Sequence, residues 1–257
     1  MAVRLEKQGS IGHVVLDRPP ANSYDRSFME ELGAVADDAA RDDSIKAVVV
    51  RSANERFFSA GADVSVFAKS DMDTQSAFVV CANESIAKFE QMPKVVVAAI
   101  NGHCLGGGLE IALCCDFRIA AEGAYRIGLP EVTLGLLPGT GGTQRLPRLI
   151  GRQKALDFML RGTTMPPRDA LAAGIVDEVV PAGELLDRAT ERARAYASGP
   201  TFAIGRIKLA TVQGSGMRLD EGLKRERELL IELFKSEDAR EGVTAFVEKR
   251  KPSYKGK

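Results

Sequence analysis

Apolar and polar positions along the chain follow two different periods. Ile11–Leu16 alternates loosely and stops at Arg18-Pro19-Pro20, which predicts a strand ended by proline. Ala47–Val50, Phe117–Ala120, Tyr125–Ile127 and Ile175–Val180 read as further strands. Val95–Ile100 is apolar throughout and predicts a strand buried on both faces. Between these runs the spacing becomes helical. Asn22-Ser23 is expected to cap a helix carrying Phe28, Met29, Leu32, Val35 and Ala36, and Met72–Met92 predicts another. Thr143–Ile150 and Arg152–Leu160 read as helices, and Pro166-Pro167 opens a short one. Strands alternating with helices predict an α/β domain with largely parallel strands. From Glu184 onward the pattern is helical, with a boundary at Ser198-Gly199-Pro200. Residues 1–197 are therefore expected to form an α/β core, and 198–257 a C-terminal helical subdomain carrying Leu219, Leu223, Leu230 and Leu233 on one face.

The stretch from Pro93 to Asp116 organises the rest. Its strand breaks at Asn101-Gly102, three glycines follow at Gly106, Gly107 and Gly108, and Leu109–Leu113 consists of good helix formers. The pattern predicts strand, glycine-rich loop, helix. Consecutive glycines permit backbone conformations and close approaches that a Cβ would block. A loop ending at a helix start also offers free N–H groups and a favourable dipole, so it can hold an oxyanion. Glu110 falls in the first turn of that helix. Leu134–Gly142 forms a second glycine-rich loop.

Composition narrows the classes. The 257 residues are 45% hydrophobic, enough for a substantial core. Lys+Arg and Asp+Glu both number 35, and this balance gives no support to a nucleic-acid partner. No apolar run reaches membrane-spanning length, so no membrane association is expected. The first residues lack a secretory pattern, and a cytoplasmic location is the expectation. Cys81, Cys104, Cys114 and Cys115 show no C-x-x-C spacing and are expected as reduced thiols. With His13 and His103 the only histidines, neither a metal site nor a Ser-His-Asp triad has adequate residues.

Nucleotide motifs are absent: Ile111 stands where G-x-G-x-x-G needs glycine, and there is no phosphate loop. A glycine loop without a phosphate fingerprint leaves acyl or enolate chemistry. From spacing alone, Glu110 reads as a helix-terminal acid and Glu131 as a solvated residue after Pro130. Asp63 reads as the cap of a helix starting at Val64, His103 as a structural hydrogen-bonding residue, and Asp116 as non-catalytic.

In order and spacing, Phe58-Ser59-Ala60-Gly61-Ala62-Asp63, Asn101-Gly102-His103 through Gly108-Leu109-Glu110, Gly128-Leu129-Pro130-Glu131 and Pro138–Leu146 resemble the enoyl-CoA hydratase/isomerase (crotonase) family. The likeness extends to the ending at Glu237–Pro252. It implies a crotonase-like core of ββα spiral units and a homotrimer or homohexamer. It implies a backbone oxyanion hole at the N–H groups of Ala62 and Gly107, and catalytic roles for Glu110 and Glu131. It puts coenzyme A against Ser59, Ala60, Gly61, Asp63 and Val64. Ser65 stands where many hydratases carry a lysine near the CoA phosphates, so Lys249, or Lys69, is expected to neutralise them. The segment from Phe67 to Val80 is expected to shape the acyl pocket. The implied activity is hydration of trans-2-enoyl-CoA, with CoA arriving as part of the substrate and no separate cofactor. Isomerases of the family commonly keep only the second glutamate, so retaining both favours hydration over Δ3-Δ2 isomerisation. A noncatalytic acyl-CoA- or RNA-binding role fits the sequence less well.

Overall fold

A computed structural model describes residues 1–66 and 68–257. In chain order the elements are β1 (Val3–Gln8), β2 (Ile11–Leu16), α1 (Arg26–Arg41), β3 (Ala47–Ser52), β4 (Phe57–Ser59), α2 (Val64–Phe67), α3 (Met72–Gln91), β5 (Val95–Ile100), β6 (His103–Leu105), α4 (Gly107–Leu113), β7 (Phe117–Ala121) and β8 (Ile127–Gly128). There follow a 3-10 turn (Glu131–Leu134), α5 (Gly142–Ile150), α6 (Arg152–Leu160), β9 (Thr164–Met165), α7 (Pro167–Ala172), β10 (Glu178–Val180), a second 3-10 turn (Ala182–Glu184), α8 (Leu185–Ala197), α9 (Thr201–Gly214), α10 (Leu219–Phe234) and α11 (Glu237–Val247).

Two sheets result. The larger runs β1-β2-β3-β5-β7-β10 and is parallel apart from β1, which pairs antiparallel with β2. The smaller runs β4-β6-β8-β9, with only β9 antiparallel. β5 lies between β3 and β7 and buries all six residues, which is why its sequence shows no alternation. α1 packs against α3, and α8 lies across β3, β5 and β7 through its small buried face, Ala189 and Ala193.

Several expectations change in detail. α1 is capped by Asp25, whose carboxylate accepts the Phe28 N–H at 3.0 Å, and not by Asn22 or Ser23. Asn22 instead takes a left-handed conformation (φ 50°), and its buried amide donates to Ser52 Oγ at 2.8 Å and the Phe58 carbonyl at 3.0 Å. Residues 103–105, expected as loop, form β6 beside β4. Of Ile175–Val180 only the last three residues pair, although Ile175 and Val176 are buried. All four cysteines are free thiols.

The helical C-terminal region is tied to the core by buried charge. Lys208 of α9 ion-pairs with Asp116 at 2.8 Å and donates to the carbonyls of Phe89 (2.7 Å) and Lys94 (2.9 Å). Asp116 also accepts the Val96 N–H, so its carboxylate is taken up by contacts that hold the fold. No described helix is long and apolar enough to cross a membrane.

Candidate active site

The two sheets bring two backbone segments together. After β6 the chain turns through Gly106 at φ 53°, a conformation that favours glycine, and enters α4 at Gly107. Gly107 has no room for a Cβ, because the Tyr24 hydroxyl occupies that space. As the first helical residue, Gly107 has no intrahelical acceptor for its N–H. Facing it, Tyr24 forms a single parallel bridge with Ala62: the Tyr24 N–H donates to the Gly61 carbonyl, and the Asp63 N–H to the Tyr24 carbonyl, both at 2.9 Å. In such a bridge the middle residue turns its own N–H to the opposite side. Among the described residues, neither the Ala62 nor the Gly107 N–H has an acceptor. Gly61 closes the gap between the segments; a Cβ there would approach the Gly107 nitrogen to 2.9 Å.

These segments border an open cavity of about 670 Å³, with Glu110 and Glu131 in its lining. Glu110 is buried, and its Oε1 accepts the N–H groups of Thr140 (2.8 Å) and Gly142 (2.7 Å). Burial raises its pKa, while those two N–H groups, the Thr140 hydroxyl and the Arg145 charge oppose the rise. Glu131 differs. Both carboxylate oxygens are buried without a hydrogen-bonding partner, and Oε1 lies against Gly106. Burial, reinforced by the charge of Glu110, pushes Glu131 up to about 7. The two carboxyls thus stand in contrasting environments, one held by backbone donors and one bare. The view of Glu131 as a solvated residue does not survive.

Other expected residues separate into two groups. Ala60, Gly61, Ala62, Val64 and Gly107 line the cavity. Ser59 does not: it is buried in β4, its hydroxyl donating to the Asn22 carbonyl and accepting the Gly61 N–H. Asp63 caps α2 by accepting the Ser65 N–H and hydroxyl, as its spacing predicted. Lys249 is exposed beyond α11 and is not among the residues that line the cavity. His103 accepts the Arg126 N–H through Nδ1. Within the segment expected to shape an acyl pocket, Met72, Gln75, Ser76, Phe78, Val79 and Val80 line the cavity, while Phe67 lies outside the described residues.

Sequence reasoning missed Tyr24 and Thr140, which also line the cavity and whose oxygens are 3.3 Å apart. Thr140 sits in the second glycine-rich loop, a usable signal. Tyr24 carried none, because only the tertiary fold brings it to residues 107 and 140.

Known proteins share this sequence and fold along nearly the whole chain. The family model for enoyl-CoA hydratase/isomerase matches residues 6–257. A short-chain-enoyl-CoA hydratase of Clostridium acetobutylicum is 38% identical over 97% of this chain and 95% of its own length. The 2,3-dehydroadipyl-CoA hydratase of Escherichia coli is 37% identical over 98% of each. A crystal structure of an enoyl-CoA hydratase from Geobacillus kaustophilus superposes with a TM-score of 0.96 at 44% identity, over 100% of this chain and 97% of that one. The chain belongs to the enoyl-CoA hydratase/isomerase family.

Proposed function

We propose that this protein adds water across the 2,3 double bond of trans-2-enoyl-CoA thioesters, giving 3-hydroxyacyl-CoA. The thioester carbonyl accepts hydrogen bonds from the Ala62 and Gly107 N–H groups, assisted by the N-terminal dipole of α4. Charge develops on that oxygen as water attacks C3, and fixed donors there lower the barrier more than they favour the ground state. Glu110, held by Thr140 and Gly142, positions and deprotonates the water. Glu131, poised near neutrality, delivers a proton to C2. The water oxygen bonds to C3, one proton reaches C2, and the carboxyls exchange the remaining proton. The pair therefore titrates as a unit.

The observation that carries this reading is the contrast between the two carboxyls: a general acid–base pair needs one ionised member and one protonated member at the same pH. CoA enters with the substrate, and the chemistry requires no separate cofactor. Its pantetheine arm runs along Ala60–Val64. Lys249, outside the cavity, is left to the phosphates of the nucleotide end. A homotrimer or homohexamer is the proposed assembly, supported by exposed Phe234, Val243, Phe246 and Val247 on the C-terminal helices. The proposed location is the cytoplasm.

Loss of enoyl-thioester absorbance with crotonyl-CoA, assayed beside isomerisation of a 3-enoyl-CoA, tests the activity. Hydration in the parent and its loss in Glu131→Gln support the reading; isomerisation without hydration overturns it. Sedimentation tests the assembly.

A further inference from the structure

We propose that Tyr24 is a positioning residue for Glu110, acting through a relay in which the Tyr24 hydroxyl donates to Thr140 Oγ1 and the Thr140 hydroxyl donates to the Glu110 carboxylate. The inference deepens the hydratase reading and rests on it.

Three observations carry it. Tyr24 is 1% exposed yet lines the cavity, so its hydroxyl is a buried polar group that needs a partner. The partner within reach is Thr140 Oγ1 at 3.3 Å. The Thr140 backbone N–H is itself one of the two donors to Glu110 Oε1, so whatever fixes Thr140 fixes the Glu110 carboxylate. Tyr24 also ties together the elements of the site. Its backbone brackets Ala62 in the parallel bridge, its hydroxyl occupies the Cβ position denied to Gly107, and its ring packs at 6.0 Å against Phe78 and 6.2 Å against Phe28.

The direction of donation follows from the surroundings. Burial and the charges of Glu110 and Glu131 push the phenol well above its ordinary range, so it stays protonated at every working pH and can always donate. Thr140, having accepted from Tyr24, turns its own proton to the carboxylate, and hydrogen bonds in such a chain strengthen one another. Other titratable or charged groups acting on Glu110 are Arg145 of α5, which is ion-paired with Glu90 of α3, Cys114 at the C-cap just past its own helix, and Glu131 from the 3-10 turn. None of these is changed by removing the phenol oxygen.

The test measures pH–rate profiles of crotonyl-CoA hydration for the parent, Tyr24→Phe, Thr140→Val, the double variant, and Thr140→Ser, which retains the hydroxyl. The parent must hydrate crotonyl-CoA, or the hydratase reading itself fails; the relay is judged only among active variants. Tyr24→Phe is expected to lower kcat about three- to tenfold with KM unchanged, the value of one neutral hydrogen bond. With less donation to the carboxylate, the limb reporting ionisation of Glu110 should move up by about half a pH unit. Thr140→Val should reproduce the shift, Thr140→Ser should resemble the parent, and the double variant should be no worse than Thr140→Val alone. A parent-like profile for Tyr24→Phe, or fully additive effects in the double variant, would overturn the relay.

Discussion

Replacing Glu131 by Gln keeps the side chain's shape and removes its charge. In the folded protein both Glu131 oxygens are buried without partners, and the pKa rises from its ordinary 4.5 to about 7. Between those values the folded chain keeps a proton that the unfolded chain has released. Stability must therefore fall as pH rises through this window. At about 1.36 kcal/mol per pH unit the ceiling on that loss is about 3.4 kcal/mol. Glu131 borders an open cavity whose water screens the charge, which reduces the figure to about 1–2 kcal/mol. Below pH 4.5 the glutamic acid and the glutamine are both neutral and should differ little. Urea unfolding of parent and Glu131→Gln at pH 5 and pH 8, at one fixed protein concentration, measures the difference. The variant should gain about 1–2 kcal/mol relative to the parent on going from pH 5 to pH 8, while its hydration kcat falls about 10²–10⁴-fold. A stability difference identical at both pH values would refute the claim that burial raises the Glu131 pKa in the fold.

Further outcomes are expected elsewhere. Glu110→Gln should also lose about 10²–10⁴ in kcat yet retain deuterium exchange at C2, since Glu131 remains; NMR of product formed in deuterated water checks this. Gly107→Ala should destabilise the chain by about 1–3 kcal/mol as its methyl meets the Tyr24 hydroxyl, and should abolish hydration; thermal denaturation and turnover report the two effects. Lys208→Met leaves Asp116 buried and unpaired and should cost about 3–5 kcal/mol, read by denaturant midpoint. Asp25→Ala removes the cap of α1 and should cost about 1 kcal/mol at pH 7. Arg18 and the Phe28 N–H hold the Asp25 carboxyl below its ordinary range, so this contribution fades as pH falls through that lowered value, and parent and variant should converge in strong acid.

Much of the fold is legible in the pattern of apolar residues because burial on both faces leaves a distinctive run. β5 is the clearest case, and α6 spans Arg152–Leu160 as its spacing predicted. β1 is harder to read, since half-buried Arg4 and Glu6 and exposed Lys7 sit on a sheet edge and interrupt any apolar signal. β6 is three residues long and exists only because β4 and β8 flank it. In the site, glycine spacing marks a loop and helix start able to hold an oxyanion, while the choice of the Gly107 N–H within it comes from the family resemblance. Tyr24 illustrates what sequence leaves out. A tyrosine two residues past Asn22 carries no periodic or motif signal, and its meaning comes from residues 61–63, 107 and 140, all distant in the chain.

The bridge between Tyr24 and Ala62 bears on how the chain can drift over generations. On the proposed mechanism the Ala62 and Gly107 donors belong to the main chain, and every codon but proline's encodes an N–H. Selection at position 62 therefore acts on side-chain bulk beside the cavity, while the donor itself persists through almost any missense change that folds. Glu110 and Glu131 enjoy no such protection, because a single nucleotide change in either codon removes a carboxyl. Half of the proposed machinery is thus written in the backbone and inherited with the fold, and half must be renewed letter by letter.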